Sequence, residues 1–313
     1  MPLPRVSIIT PSYQQAAFLE ETICSVLDQN YPDLEYWIID GGSQDGSVEI
    51  IQKYQHRLAG WVSEPDSGQA EAINKGLARA TGDIVAWINS DDYYLPGAIH
   101  AAVAVMEQNP DVGLVYGDVL AINGAGQPIN VQTFRPMGLD DLMQFSIIGQ
   151  PSVFMRRSVL EQAGFLDLSY HYLLDHELWL RVAQHCKLHY VPACWSVSRY
   201  HAAAKNVSQT SKYGLDAFRL VAWMEQDPAL APRFKRLRRR VLAGAHHINA
   251  HYLLDGGLYR PALAAYLRSL ALYPPITLPN MKRVLYAAAS LVINLESLKR
   301  GYLERRKKRM TDQ

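Results

Sequence analysis

Asn89-Ser90-Asp91-Asp92 is the most chemically loaded tetrapeptide in this 313-residue chain. It closes an apolar run at residues 83–89, so two adjacent carboxylates stand at the end of a buried strand. Neighbouring carboxylates repel unless a cation or hydrogen-bond donors offset their charge. Hard divalent ions such as Mg²⁺ and Mn²⁺ take oxygen ligands and bridge to phosphates. The bland alternative is a helix cap, with Asp92 opening a helix through Tyr93-Tyr94-Leu95-Pro96. Three other apolar runs end in similar fashion, at Thr10-Pro11-Ser12-Tyr13, Asp40-Gly41-Gly42-Ser43 and Glu64-Pro65-Asp66-Ser67-Gly68. One such loop is commonplace, whereas four in a row deliver acids and small polar groups to one edge.

These loops need a sheet to hold them. Residues 6–10, 36–40, 60–64 and 83–89 are short runs rich in β-formers, and helical spacing fills each interval. Phe18, Leu19, Ile23, Val26 and Leu27 mark the first helix, Val48, Ile51 and Tyr54 the second, and Ala70, Ile73 and Leu77 the third. Strand–helix alternation means an α/β fold whose sheet is mainly parallel, with helices on its faces. In such a sheet ligands bind at the carboxyl ends of the strands, beside a topological switch point. Further strands are expected at 114–119, 152–155 and 187–191, and a helix at 175–185. Strand signals stop near residue 212. Residues 247–272 then read as a helical hairpin broken at Asp255-Gly256-Gly257. Its spacing is similar to one tetratricopeptide-type unit; a single copy is too few for an independent array. The expected division is a catalytic domain at 1–212 and a basic helical region at 213–313, with an amphipathic tail at about 282–309.

Composition excludes several classes. Hydrophobic residues make up 49% and charged residues 19%, which is globular. No uninterrupted apolar stretch reaches the length of a membrane span, and residues 1–13 do not resemble a secretory signal. Three cysteines without C-x-x-C spacing point to a reducing, cytoplasmic setting and give no zinc framework. There is no G-x-x-x-x-G-K-[ST], and no G-x-G-x-x-G follows the first strand, which argues against a P-loop ATPase and a Rossmann dinucleotide binder. The net charge of +1 hides a division: residues 1–200 hold 11 Lys and Arg against 23 Asp and Glu, and residues 201–313 hold 20 against 7. Six of the eight residues 233–240 and seven of the eleven residues 299–309 are basic. Basic clusters beside an amphipathic helix fit peripheral binding to anionic lipid, here the inner membrane face. The alternatives are a solvated helix face or pairing with the acidic first half. Aromatics are not interleaved as stacking platforms, so nucleic acid is not an expected partner.

Val6-Ser7-Ile8-Ile9-Thr10-Pro11-Ser12-Tyr13, Ile38-Ile39-Asp40-Gly41-Gly42-Ser43-Gln44-Asp45-Gly46-Ser47, Asn74-Lys75-Gly76 with Thr81-Gly82-Asp83, and Asn89-Ser90-Asp91-Asp92 occur in this order. Together they resemble the family 2 glycosyltransferases over residues 5–210. That resemblance implies a GT-A fold, a divalent cation (Mg or Mn), and inverting transfer from a nucleotide-diphosphate sugar, a UDP-sugar above others. The acceptor is then the hydroxyl of a sugar or a lipid-linked glycan, in cell-surface polysaccharide or glycolipid synthesis. It also implies roles. Asp40 matches the acid that holds the base, Asp66 lies in the loop flanking the nucleotide, and Thr10, Pro11, Tyr13 and Ser90 belong to the donor-binding loops. Asp91 and Asp92 match the metal-binding acids, with Asn89 where the usual motif has Asp. Leu174-Asp175-His176-Glu177-Leu178-Trp179 resembles the family's Glu-Asp motif, with Leu174 in the Glu position and Asp175 as the catalytic base. The alternative for Asp175 is a plain helix cap. Glu177 is the second candidate base, and Gln150 and Trp179 fall on the acceptor side, where the alternatives are a turn residue for Gln150 and, as the favoured reading, packing under the helix for Trp179. His201 stands where related enzymes place a His over the diphosphate or metal, and Lys205 offers a point charge for phosphate. The competing classes are a sugar-phosphate nucleotidyltransferase, which calls for a Gly-rich basic loop after the first strand, and a non-catalytic helical scaffold.

Overall fold

Every residue of β1 (Val6–Ser12) is buried, as expected of a strand covered on both faces and hydrogen-bonded on both edges. In this computed structural model, which describes residues 3–201, 204 and 209–292, β1 lies between two parallel neighbours. On one side is β2 (Leu34–Asp40), itself flanked by β3 (Gly60–Ser63); on the other is β4 (Ile84–Trp87). The register pairs Ser12 with Asp40 and Asp40 with Ser63, so the loops after β1, β2 and β3 leave the sheet at the same edge. The strand order 3-2-1-4 reverses direction at β1, which makes the β1/β4 boundary the topological switch point, the place where ligands bind in open α/β sheets.

The sheet continues through β8 (Val153–Arg156), β6 (Val112–Asn123), β9 (Lys187–Tyr200) and β5 (Tyr93–Tyr94), with β7 (Pro128–Gln132) paired to β6. Here the pairings β4–β8, β8–β6 and β5–β9 are antiparallel. The α/β GT-A type fold is therefore as expected, but the sheet is mixed: its first four strands are parallel and the pairings named above are antiparallel. Helices α1 (Ala16–Leu27), α2 (Ser47–Tyr54), α3 (Gln69–Leu77) and α4 (Ala98–Gln108) connect the first strands. Ile23, Val26, Ile99, Val103 and Met106 from α1 and α4 pack with Ile8, Ile38 and Phe154 of the sheet in one buried cluster.

Two local devices explain motif residues that do no chemistry. Gly76 lets α3 close on β1, since a Cβ there would stand 2.4 Å from the Ile9 side chain. Asn74 clips residue 166 through both backbone groups, donating to Leu166 O at 2.8 Å and accepting from Leu166 N at 3.0 Å. The region after β8 then places α6 (Arg157–Ala163) and α7 (Leu174–Val182).

The chain forms two compact units. The first holds residues 1–122, 130–138 and 148–199, and the second 123–129, 139–147 and 200–313. The second is helical: α5 (Leu139–Met143), α8 (Tyr213–Gln226), α9 (Ala231–Asp255), α10 (Tyr259–Leu272), α11 (Pro274–Thr277) and α12 (Met281–Ala289). The hairpin break falls at Asp255-Gly256-Gly257, where Gly257 takes φ +74°. Ala250, Leu254, Ala262, Ala265, Tyr266, Val284 and Ala287 form the core of the helical unit. The basic run at 233–240 is largely engaged within this unit. Arg233 and Arg236 pair with Asp140 at 3.1 and 3.0 Å, Arg238 with Glu225 at 3.7 Å, and Arg240 lies over Tyr273. Among the described residues no helix is long and apolar enough to cross a membrane. Lys205 and the basic run at 299–309 lie outside the described residues.

Candidate active site

The first unit brings Tyr13, Asp40, Asp66, Asn89, Asp91 and Asp92 to the carboxyl edge of its parallel strands, and each proves to have its own environment. Thr10 is fully buried, and its hydroxyl is within hydrogen-bond distance of the Tyr36 hydroxyl at 2.9 Å. It supports the loop from within, a different position from the ligand contact expected of it. Pro11 is buried as well, whereas Tyr13 is 61% exposed and presents an open ring.

Asp40 is buried with no exposed surface. Its Oδ2 accepts from Gly42 N at 3.0 Å, Ser43 N at 2.9 Å and Ser63 Oγ at 2.7 Å, and its Oδ1 from Ser43 Oγ at 2.6 Å. Four donors saturate this carboxylate, so it ties the loop after β2 to β3 and has no face left for a base. Asp66 is half-buried and accepts from Gly68 N at 2.8 Å. Burial pushes its carboxyl above the usual range.

The loop after β4 does not open a helix: Tyr93-Tyr94 form β5 and the next helix starts at Ala98. Asp92 is 4% exposed and accepts from Arg199 N at 2.9 Å and from Asn89 Nδ2 at 3.2 Å. Burial, reinforced by the neighbouring Asp91 charge, holds its carboxyl well above the ordinary range. These contacts make Asp92 an anchor of the loop. Asp91 is partly exposed and Ser90 is buried. Among the described residues no group of three or more His, Cys, Asp or Glu is arranged to hold a metal. A single carboxylate still fits Mg²⁺ or Mn²⁺ when substrate phosphates supply further oxygens. Asp91 is the residue here with that chemistry and exposure.

Asn89 accepts from Gln69 Nε2 at 2.7 Å and donates to Gln150 Oε1 at 3.4 Å, while Gln150 donates to Trp87 O at 2.8 Å. Gln150, expected on the acceptor side, thus braces the β4 loop. Arg199 was not singled out by sequence reasoning. Besides the bond from its backbone N–H, its Nε donates to Asp91 O at 3.2 Å, its guanidinium pairs with Glu21, and it lies 4.7 Å over the Phe18 ring. It sits 107 residues from Asp92, and no local pattern announces such a contact.

At α7 the two carboxylates diverge. Glu177 is 4% exposed and forms a bidentate pair with Arg181, both contacts at 2.7 Å. Arg181 also donates to Gly164 O at 3.0 Å and Phe165 O at 2.7 Å. Glu177 is thereby committed to holding the loop before α7, not to taking a proton. Trp179 is fully buried and stacks on Trp87 with centroids 5.3 Å apart, so it packs in the core and offers no face to an acceptor. Asp175 remains partly accessible. It stands inside the first turn, not at the cap, and its Oδ1 accepts from His176 N at 2.8 Å. Burial raises its carboxyl to about 6. The Trp87–Trp179 stack ties α7 to β4, two residues before Asn89. His201 follows β9, is partly buried, and belongs to the helical unit.

Comparison with known proteins now decides the class. The model for "Glycosyl transferase family 2" matches residues 7–162. An uncharacterised glycosyltransferase of Mycobacterium tuberculosis, MT1564, is 30% identical over 190 residues, 59% of this chain and 71% of its own. The chain belongs to glycosyl transferase family 2. A second relative of the family, the putative teichuronic acid biosynthesis glycosyltransferase TuaG of Bacillus subtilis, is 33% identical over 53% of this chain and 66% of its own length. Two solved structures share the fold. S. aureus TarS 1-349 in complex with UDP-GlcNAc gives TM-score 0.60 at 14% identity, covering 89% of this chain and 92% of that one. The mannosyltransferase PcManGT from Pyrobaculum calidifontis, in complex with GDP-Man and Mn²⁺, gives 0.58 at 24%, covering 92% and 86%. Both extend over the helical region as well as the sheet, and at these identities they speak to fold alone.

Proposed function

We propose that this chain moves a sugar, with inversion, from a nucleoside-diphosphate sugar to an acceptor hydroxyl, in the synthesis of a cell-surface polysaccharide or glycolipid. The observation that carries the reading is Asp175. It is a carboxyl of a partly exposed residue, raised to about 6 by burial, on a helix joined by the Trp87–Trp179 stack to the strand that leads into Asn89-Ser90-Asp91. A general base is most effective with a pKa near the working pH. Asp175 takes the acceptor proton as the hydroxyl attacks in line, opposite the departing diphosphate. Asp91 is the residue that would hold Mg²⁺ or Mn²⁺. A divalent cation there would offset the charge that builds on the leaving group. Asp92, Asn89, Gln150 and Arg199 keep Asp91 in place. The TarS and PcManGT complexes, with UDP-GlcNAc and with GDP-Man and Mn²⁺, support the donor class and the ion, and the name of TuaG supports a cell-surface product.

The test is transfer or donor hydrolysis by the purified protein, with the product anomer read by NMR. An inverted anomeric centre and a Mn²⁺ or Mg²⁺ requirement are expected. A protein that binds no nucleotide sugar under any metal condition would instead be a helical scaffold. The basic run at 299–309 is proposed to dock the enzyme on an anionic membrane surface. Deleting 299–313 should then release it from anionic vesicles, and so should high salt, which screens surface charge. Equal binding by the shortened chain ends that part of the proposal.

A further inference from the structure

Asp40 and Asp66 leave neighbouring strands towards the same edge, and their settings are opposite. Asp40 is sealed and saturated by four donors. Asp66 uses Oδ1 for Gly68 N, and among the described residues its Oδ2 accepts no hydrogen bond. That oxygen stands over Gly41: a Cβ at residue 41 would lie 2.9 Å from it and 3.2 Å from Cδ2 of the Tyr13 ring. The glycine therefore does a specific task. It leaves room for the Asp66 carboxylate beside a ring that is 61% exposed. An open aromatic face and a fixed acceptor, meeting over a bare backbone, are the parts of a nucleobase slot, since every base has a face to stack and an edge to read.

We propose that Asp66, admitted by Gly41 and set beside Tyr13, is the residue that reads the donor's base, and that it selects bases carrying a ring N–H. A carboxylate only accepts hydrogen bonds. Uracil and guanine present a ring N–H on the edge it would face. Cytosine and adenine present a ring nitrogen that accepts, and two acceptors facing each other leave both unpaired. Burial of Asp66 sharpens this contrast by weakening competition from water. The inference rests on the nucleotide-sugar reading above and adds which residue sets the donor's base.

Calorimetry on the full chain with UDP, GDP, CDP and ADP tests it. UDP or GDP should bind at least about tenfold tighter than CDP and ADP, the range of a hydrogen bond to a charged group. The analogue of the tighter binder methylated on its ring nitrogen, 3-methyl-UDP or 1-methyl-GDP, should lose that margin. In Asp66→Asn, whose amide can donate, the margin should disappear or pass to CDP or ADP while the melting temperature holds. Gly41→Ala should weaken the margin as well, by displacing the carboxylate. A margin that survives in Asp66→Asn, or a methylated analogue that binds equally well, overturns the assignment while leaving the donor class intact. Absence of binding by all four nucleotides to the unaltered chain overturns the nucleotide-sugar reading, and this inference with it.

Discussion

The loop after β4 and the first turn of α7 each carry two carboxylates, and in each pair one is engaged in holding the structure while the other stays accessible. The means of holding differ. Asp92 is fixed by neutral donors, a backbone N–H and an amide, beside the like charge of Asp91. Glu177 is fixed by a cation, Arg181, in bidentate contact. The first arrangement sets neutral donors against burial and a like charge, and the second sets an opposite charge against burial. Two acids that look alike in the sequence should thus respond oppositely to neutralisation, although both serve to aim a neighbour.

The accessible members should give the largest effects. Asp175→Asn keeps shape and removes the proposed base, so turnover should fall at least about a hundredfold while donor affinity changes little, because a base acts on the acceptor proton in the transition state. The same carboxyl sets a pH limb. Its folded value, about 6, exceeds the reference 3.8, so the active anion is lost as pH falls through about 6 and the rate should fall with it. The sign for stability is the reverse. The folded protein holds this proton more tightly than the unfolded chain, so the group weakens folding at pH 7 and the penalty fades on acidification. Asp175→Asn should therefore melt no lower than the parent at pH 7, by calorimetry. Near-normal turnover in Asp175→Asn together with inactivity in a folded Glu177→Gln would reverse the assignment within the pair.

Asp91→Ala should abolish the metal-dependent part of donor binding in a titration with and without Mn²⁺. Full metal dependence in this variant would break the division between Asp91 and Asp92. Glu177→Ala strands the Arg181 charge, which is 19% exposed. A loss of about 2–3 kcal/mol in urea unfolding is expected, at the low end for broken buried pairs because of that exposure. Asp92→Asn should be the mildest change, within about 1 kcal/mol, since it keeps an acceptor for Arg199 N and removes a repulsion. If it costs as much as Glu177→Ala, the contrast between neutral and ionic anchoring fails.

Much of this was legible in the sequence. The strand–helix alternation predicted the first four strands and the edge bearing the acidic loops, because buried parallel strands leave continuous apolar runs. The antiparallel half was not: a run such as 152–155 carries no mark of direction, and pairing is settled by distant neighbours. The same distinction governs the site. Glu177 and Arg181 stand four apart on a helix, a spacing that itself signals a pair. Asp92 and Arg199 are joined only by the fold. The family resemblance implies Asp40 as the acid that holds the base. The serine and backbone donors that saturate it come from residues 42, 43 and 63, and such counting needs coordinates.

The helical unit takes residues 123–129 and 139–147 from the middle of the chain as well as everything after 199. Leu142 and Met143 are buried there, and Gly244 of α9 runs so close to Gln144 O that a Cβ would stand 2.1 Å away. The polypeptide thus crosses between the two bodies several times, like thread through two pieces of cloth. No single cut separates them. A chain ended near residue 212 would bare the apolar side of 139–147 and lose the partners of Asp140. A shortened chain meant to keep the helical unit whole must therefore retain residues 123–129 and 139–147 as well as those after 199.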